Sequence, residues 1–511
     1  MNAHETLLIL DFGSQYTQLI ARRVRELGVY SEIRRGDLSA GEAATLRPIG
    51  IVLSGGPASI YETGAIAPDA AVFALGVPVL GLCYGQQAMA HLLGGGVEPS
   101  NDREYGAADF AADLTCPLFA HTRASQRVWM SHGDRITRLP AGFVTAGHTS
   151  NAPFAAMADV SRRLFGIQFH PEVRHTELGR QILANFLDIC GARRDWTAAS
   201  IRRDAVERIR EQVREGRIIV ALSGGVDSSV TALLCREAVG ERTAPIFVDT
   251  GLLRLDEGNQ VAKRFAGFGL AVDRVNAAER FLGRLVGIED PEEKRRRIGH
   301  EFIAVFEQEA RRFSDARFLA QGTLYPDVIE STSVRGPSAT IKTHHNVGGL
   351  PERLGLELVE PLRWLFKDEV RRLGEELGLP EEFVWRHPFP GPGLAVRILG
   401  EVTSERVSLL QRADAIFLDE IHAAALYREI AQALVVLLPV RSVGVMGDQR
   451  TYENVAALRA VTTEDFMTAD WYRFPPDVMD RISRRIVNEV RGINRVVYDV
   501  TSKPPGTIEW E

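Results

Sequence analysis

Short apolar runs rich in β-branched residues alternate with amphipathic stretches over the first part of the chain. The runs cover residues 7–10, 49–53 and 77–82, and helical patterns follow at 14–27 and after Gly85. Strands that alternate with helices predict a parallel sheet covered on both faces, with functional residues at the carboxyl ends of its strands. We therefore predict a doubly wound α/β domain over residues 1–192.

The same alternation returns after a short polar linker that begins at Arg193. An amphipathic helix leads to the apolar run 218–222, and further strands are predicted near 245–248 and 272–275. This pattern predicts a second doubly wound, mostly parallel sheet domain over residues 193–388.

The last part of the chain begins with a loop that is too dense in proline and glycine for a helix or strand, at residues 386–394. Helix patterns follow near 404–424 and 476–491, with short strands between and after them. We predict a smaller α+β domain over residues 389–511.

Composition and charge narrow the function classes. With 45% hydrophobic and 25% charged residues, the 511-residue chain is close to an average soluble protein. The net charge of -7 does not favour nucleic acid or an acidic membrane surface as a partner. The start of the chain lacks a basic leader, and no apolar run reaches the ~18 residues of a membrane span. We expect a cytoplasmic protein that acts on small molecules.

A glycine-rich loop follows the apolar run 218–222 and precedes a helix pattern. Two glycines permit a tight turn, and the helix N-terminus offers unpaired N–H groups to an anion. A Walker A loop requires a lysine, but no lysine occurs before Lys263. The loop is better suited to hold a leaving pyrophosphate, with Mg²⁺ on Asp227. The predicted ATP-binding residues are Ser223, Gly224, Gly225, Val226, Asp227, Ser228 and Ser229.

This loop resembles that of the N-type ATP pyrophosphatases. The resemblance implies an enzyme that adenylates a substrate oxygen and then displaces AMP with a nitrogen or sulfur nucleophile. ATP is the implied co-substrate, and Mg²⁺ is the implied metal.

A cysteine in the first domain has the local sequence of a nucleophile. Cys83 lies within Gly81-Leu-Cys-Tyr-Gly85, directly after an apolar run and before a helix pattern. Small flanking residues permit the strained turn of a nucleophile elbow, and a helix N-terminus lowers a thiol pKa. The other three cysteines, at 116, 190 and 235, have no such context, and we expect them to be buried and inert.

A general base for this cysteine is predicted at residues 170–172. In an extended segment, His170 and Glu172 lie on the same side, so the carboxylate orients the imidazole that deprotonates Cys83. A second strand end, Ser54-Gly-Gly56-Pro57, offers backbone N–H groups for an oxyanion hole together with that of Tyr84.

These motifs resemble the class I glutamine amidotransferases over residues 1–191. The resemblance implies that Cys83 forms a glutamyl thioester and releases ammonia. It also implies that Gln87 and the segment 131–133 contact glutamine.

A long polar segment with glycine and proline, residues 321–351, predicts a functional lid. It contains one of only five lysines, at positions 263, 294, 342, 367 and 503, among 60 basic residues. The lid resembles that of the GMP synthetase family. The resemblance implies that the lid closes over ATP and XMP, with Lys342 neutralising phosphate charge. Its other implied residues are Asp327, Glu330, His344 and His345. We expect the helix around Lys367 to be structural.

The chain ends in the segment Lys503-Pro-Pro-Gly-Thr-Ile-Glu-Trp-Glu511. Chain ends are often frayed, but the prolines, the tryptophan and the rare lysine of this segment predict a docked end. In the same family this segment and the boundary loop 386–394 hold XMP, and the last domain dimerises. The resemblance implies contacts to XMP from Lys503, Ile508, Glu509 and Arg495, and a homodimer.

Together these resemblances imply an enzyme that aminates XMP to GMP, driven by ATP and by ammonia from glutamine. Two alternatives stay open. One is the same chemistry on another acceptor, such as deamido-NAD or aspartate. The other is a regulatory nucleotide-binding protein that retains inactive amidase residues.

Overall fold

The computed structural model describes residues 4–332, 355–446, 449–463, 466 and 468–511. The chain divides into two compact units, Met1–Ser200 and Ile201–Glu511. Among the described residues, no helix is both long enough and apolar enough to cross a membrane.

The first unit is built on a nine-stranded sheet. Its strands are β1 (Thr6–Asp11), β2 (Tyr30–Arg35), β3 (Gly50–Leu53), β4 (Val79–Leu82), β5 (Gly96–Ala112), β6 (Ser125–Arg138), β7 (Val144–His148), β8 (Ala156–Asp159) and β9 (Leu164–Ile167). Its helices are α1 (Thr17–Glu26), α2 (Ala40–Thr45), α3 (Tyr84–Leu92) and α4 (Gly179–Ile189).

The strand order is β2-β1-β3-β4-β9-β8-β7-β5-β6. The first five strands are parallel, as the alternation of strands and helices predicts, and they are buried between helices. The remaining four pair antiparallel, beginning with β8 against β9. This antiparallel half was not predicted, because its long hairpin of β5 and β6 is polar and only half-buried.

The second unit contains a five-stranded parallel sheet and a smaller four-stranded sheet. The parallel strands are β10 (Arg217–Leu222), β11 (Thr243–Asp249), β12 (Asp273–Asn276), β13 (Ala316–Ala320) and β14 (Glu357–Val359). The smaller sheet has β15 (Gln432–Met446), β16 (Gln449–Thr462), β17 (Asp470–Trp471) and β18 (Ile493–Tyr498).

The helices from the linker onward follow in chain order. They are α5 (Ala198–Val213), α6 (Val226–Val239), α7 (Glu257–Gly267), α8 (Ala278–Leu285), α9 (Pro291–Ala310), α10 (Tyr325–Thr332), α11 (Lys367–Glu376), α12 (Glu381–Val384), α13 (Ser404–Ala423) and α14 (Pro476–Glu489). Local chemistry explains where several begin: Asp290 accepts a hydrogen bond from the Glu293 N–H, and Pro291 occupies the first position of α9.

The order of the parallel sheet, β12-β11-β10-β13-β14, puts β10 at its centre. The chain leaves β10 toward β11 and β12, and it later returns to the other side through β13. A ligand site is expected where the strand order reverses, at the carboxyl ends of β10 and β13. One hydrophobic core joins this sheet to the smaller one, since Ile219 and Val248 belong to the same buried cluster as Leu410 and Val435.

Candidate active sites

The nucleophile elbow is formed between β4 and α3. Cys83 has φ 50° and ψ −107°, a strained conformation for a non-glycine residue. Its flanking glycines are required by space: a Cβ at Gly81 would lie 2.6 Å from the Gly85 carbonyl oxygen. The side chain of Cys83 is nearly buried and donates to the Ser131 carbonyl oxygen at 3.4 Å. The local sequence therefore folds as the elbow pattern predicts.

His170 and Glu172 meet beside the elbow, just beyond the end of β9. The Nδ1 atom of His170 lies 2.7 Å from Glu172 Oε1, and both side chains are buried. Burial alone would lower the pKa of His170, but the charge of Glu172 and hydrogen bonds with Cys83 and Glu172 raise it to about 11. Cys83 and Glu172 therefore hold the His170 imidazole in its protonated form at neutral pH.

A pH profile tests this arrangement. The raised pKa means that protonated His170 stabilises the native state in full below the ordinary histidine pKa of about 6.5, and this stabilisation falls as the pH rises from there and is gone above about 11. In Glu172→Gln, burial still lowers the pKa of His170 and the raising charge is gone. We expect the alkaline limit of glutaminase activity to move to lower pH, measured as kcat/KM for glutamine against pH. An unchanged alkaline limit would exclude Glu172 as the partner that sets this pKa.

The segment predicted to form the oxyanion hole, Ser54–Pro57, lies against His170 and Tyr84. A Cβ at Gly55 would come 3.2 Å from His170 Cε1, and one at Gly56 would come 3.3 Å from Tyr84 Cγ. The Gly85 N–H donates to the Ser54 carbonyl oxygen, which fixes this loop to the start of α3. The structure thus brings Gly56 and Tyr84 together with the elbow.

Two glutamines support the site from within. The amide nitrogen of Gln87 donates to the Asp134 carbonyl oxygen at 3.0 Å and faces Gln168 Oε1 at 3.3 Å. The side-chain amide nitrogen of Gln168 in turn lies 3.6 Å from Cys83 Sγ. Gln168 was not predicted as a site residue, although its place two residues before His170 in an extended segment was a usable signal.

Of the other cysteines, Cys116 and Cys235 are buried, as expected, and Cys190 is partly buried. Burial raises the pKa of Cys116 and raises that of Cys190 and Cys235 to about 12. None of them therefore carries a thiolate at neutral pH.

The phosphate loop lies at the carboxyl end of β10, where the strand order of the parallel sheet reverses. Internal hydrogen bonds close it: Ser228 Oγ accepts from the Ser223 N–H at 3.2 Å, and the Ser229 hydroxyl donates to the Gly225 carbonyl oxygen at 2.8 Å. The N-cap residue of α6 is Gly225, which has no side chain to accept a hydrogen bond from the first N–H groups of the helix. The first N–H groups of α6 are therefore available to an anion.

Asp227, the residue predicted to bind Mg²⁺, lies in the first turn of α6. Its Oδ2 pairs with Lys367 Nζ from the first residue of α11, whereas its Oδ1 is buried without a hydrogen-bond partner among the described residues. An unpartnered carboxylate oxygen beside a phosphate socket fits Mg²⁺, which commonly binds one or two carboxylates plus substrate phosphates. The described residues form no cluster of three or more metal-binding side chains.

Lys367 makes a contact that was not predicted from the sequence. We expected its helix to be structural, and the helix brings a lysine to a loop that has none of its own. The contact joins residues 140 positions apart, so neither local pattern indicated it. The scarcity of lysine in the chain was the one available signal.

The predicted lid is covered only in part by the described residues. Asp327 Oδ2 accepts from the Leu324 N–H at 3.0 Å and thereby caps the start of α10. Glu330 lies in α10. Lys342, His344 and His345 lie outside the described residues.

The C-terminal segment is docked, as predicted. Glu509 forms a two-bond ion pair with buried Arg397, at 2.8 and 3.1 Å, and accepts from Gln432. Ile508 is buried, and Lys503 Nζ donates to the Phe466 carbonyl oxygen at 2.7 Å.

Arg495, the fourth residue predicted to contact XMP, lies on β18. Its Nε atom donates to Ser442 Oγ on β15 at 2.6 Å. The contact that the structure gives Arg495 is therefore with β15 and not with the C-terminal segment.

Comparison with known protein families gives three matches along the chain. Residues 8–190 match the class I glutamine amidotransferase model, residues 201–267 match the NAD synthase model, and residues 419–510 match the model of the GMP synthase C-terminal domain. An amidotransferase domain and a pyrophosphatase-type domain in one chain define an ATP-dependent, glutamine-hydrolysing ligase.

Full-length relatives make the assignment specific. The chain is 59% identical to a glutamine-hydrolysing GMP synthase of Phenylobacterium zucineum over 514 aligned residues, with 99% of each protein covered. It is 55% identical to those of Vibrio vulnificus, with 100% of this chain and 99% of the relative covered, and of Heliobacterium modesticaldum, with 99% of each covered. The chain belongs to the glutamine-hydrolysing GMP synthase family.

Proposed function

We propose that the chain converts XMP to GMP with ammonia that it releases from glutamine, while ATP is split to AMP and pyrophosphate. The observation that carries the proposal is the presence of two complementary sites in one chain. One holds a strained, His-paired cysteine, and the other is a phosphate socket whose lysine comes from a distant helix.

At the first site, Cys83 attacks the glutamine side-chain carbonyl. The backbone N–H groups near Gly56 and Tyr84 stabilise the developing oxyanion, a contribution worth about 10²- to 10³-fold in rate for one donor. His170, oriented by Glu172, transfers the proton to the departing ammonia and then activates water to hydrolyse the thioester.

At the second site, the loop Ser223–Ser229 holds the β- and γ-phosphates that leave as pyrophosphate. Bound Mg²⁺ would neutralise phosphate charge, with Asp227 as its protein ligand. Lys367 adds positive charge at the same place. Lys342, His344, His345, Asp327 and Glu330 complete the site as lid residues, and Lys503, Ile508, Glu509 and Arg495 bind XMP.

The direct test is to incubate the protein with ATP, Mg²⁺, glutamine and XMP and to measure AMP and GMP. We expect both products in equal amounts. AMP formation without GMP, or no AMP formation dependent on XMP, would contradict the proposal.

The match to the NAD synthase model favours deamido-NAD as a second candidate acceptor. That match is confined to residues 201–267, whereas residues 419–510 match the GMP synthase C-terminal domain. Replacing XMP by deamido-NAD in the same assay therefore distinguishes the two, and we expect no AMP from deamido-NAD.

We also propose a homodimer, formed by the outer half of the hairpin of β15 and β16. Apolar residues there are exposed on a two-stranded ribbon: Val445 is 75% exposed, and Tyr452 and Val443 are also exposed. Val443 and Val445 alternate onto one face of the ribbon and Tyr452 pairs with Val443, and large exposed apolar side chains grouped in this way favour a protein interface.

We further propose a cytoplasmic location and domain boundaries near residues 192 and 388.

A charge placed on this ribbon tests the dimer. We expect Val445→Glu to shift the protein from dimer to monomer in sedimentation velocity, because a buried unpaired carboxylate is costly. Val144→Glu is the matched control, since this valine is also exposed, at 59%, but lies on β7 in the first unit. A dimer that withstands Val445→Glu would place the interface elsewhere.

A further inference from the structure

Arg386 contacts the phosphate loop from the loop that precedes the last part of the chain. Its Nη1 atom donates to the Gly224 carbonyl oxygen at 3.0 Å, and its Nη2 atom lies 2.6 Å from Glu257 Oε1. The side chains are 18% and 7% exposed, so the pair is largely shielded from water. From the sequence, Arg386 was placed only in this boundary loop, whose counterpart in the resembled family holds XMP, and no contact with the phosphate loop was predicted.

Glu257 is itself held in place. It begins α7, and its second oxygen, Oε2, accepts from the Arg254 N–H at 3.0 Å. The guanidinium carbon of Arg386 also lies 5.7 Å from the centre of the Phe389 ring. Arg386 is therefore in contact with a carboxylate, an aromatic ring and the loop carbonyl.

Gly224 is fitted closely against this pair. Its φ of +78° is a conformation that favours glycine, and a Cβ there would lie 3.2 Å from Glu257 Oε1 and 3.4 Å from Arg386 Nη1. The turn therefore favours glycine here, and a side chain at this position would also crowd the Glu257 carboxylate.

The bond from Arg386 has a consequence across the peptide plane. In a trans peptide, the carbonyl of Gly224 and the N–H of Gly225 point in opposite directions. Fixing the carbonyl on Arg386 therefore turns the Gly225 N–H toward the other side, where it meets Ser223 Oγ at a long 3.4 Å. A rotated peptide would instead present the negative carbonyl oxygen to the phosphates.

We propose that Arg386, oriented by Glu257, is a positioning residue that fixes the Gly224–Gly225 peptide so that its N–H faces the phosphates of ATP. This inference rests on the proposed function of the loop. Arg386 touches no reacting atom, and it acts through the backbone of the loop.

The test uses ammonia-driven GMP formation by the full chain, with Arg386→Lys, Arg386→Ala and Glu257→Gln. Lysine cannot bridge the carbonyl and the carboxylate in the planar fork of arginine. We expect Arg386→Lys to raise KM for ATP about tenfold with a smaller change in kcat, the size of one charge-assisted hydrogen bond. Glu257→Gln retains one acceptor, and we expect a smaller rise.

Rescue separates positioning from folding. We expect added guanidinium, at millimolar concentration, to lower the raised KM of Arg386→Ala severalfold. Arg217→Lys is the control, because Arg217 lies on β10 in an exposed pair with Asp315, 2.8 Å away, and should not change KM. An unchanged KM for ATP in Arg386→Lys, or loss of activity in Arg386→Ala without rescue and with a lowered melting temperature, would overturn the inference.

Direct binding keeps this test independent of the overall reaction. We expect pyrophosphate with Mg²⁺ to bind the wild type, measured by calorimetry, and to bind Arg386→Lys about tenfold more weakly. If the wild type bound pyrophosphate more tightly than Arg386→Lys but formed no GMP, only the proposed function would be contradicted. Equal binding by the two proteins would contradict the role of Arg386.

Discussion

Replacing Cys83 by alanine is expected to abolish glutamine-driven GMP formation and to leave ammonia-driven formation intact. Loss of the nucleophile of a coupled catalytic group costs ~10⁴-fold or more in rate. The ATP site keeps all its residues, and added ammonia replaces the missing product. The measurement is GMP formation with glutamine, and separately with an ammonium salt at alkaline pH where free ammonia is available.

Cys190→Ala is the matched control for this experiment. Burial raises the pKa of Cys190 to about 12, and this residue is in neither predicted site, so its loss should affect neither activity. Loss of ammonia-driven activity in Cys83→Ala, with the protein still folded, would contradict the model of two separate sites.

The first site could be predicted almost completely from sequence because its determinants are local. The elbow depends on Gly81 and Gly85, which flank Cys83 directly, and the orientation of His170 depends on Glu172 two residues later. The structure bears out this geometry in the φ of 50° at Cys83 and the 2.7 Å contact between His170 and Glu172. Their catalytic roles stay predictions until variants are measured.

The second site could be predicted only in its loop. Lys367 and Arg386 approach the loop across 140 and 162 residues, and no spacing rule relates such distant positions. Their local sequences are ordinary: one begins a helix, and the other precedes a proline-rich loop. Tertiary folding alone brings them to β10.

The fold of the last sheet shows a different limit. β16 was missed because it contains alanine and charged residues in place of a continuous β-branched run, although it pairs along most of its length with β15. Here pairing with neighbours outweighs intrinsic strand propensity, which is weak and depends on context.

Replacing Asp227 by asparagine is expected to suppress GMP formation with either nitrogen donor by about 10²- to 10³-fold, the size of one preorganised electrostatic contact in an active site. Asparagine keeps the shape of the side chain but removes the charge that would bind Mg²⁺ and that pairs with Lys367. The measurement is XMP-dependent release of pyrophosphate from ATP, with ammonia as donor. Asp315→Asn, in the exposed pair with Arg217, is the control and should retain full activity.

Lys367 decides how this loss is interpreted. Because Lys367 and Asp227 are in direct contact, their substitutions should not be additive: Asp227→Asn combined with Lys367→Met should cost less than the sum of the two single changes. Additive losses would mean that the pair is a structural coincidence and that each residue acts alone. Wild-type pyrophosphate release in Asp227→Asn would remove the loop from the reaction altogether, while ammonia release at Cys83 could still stand.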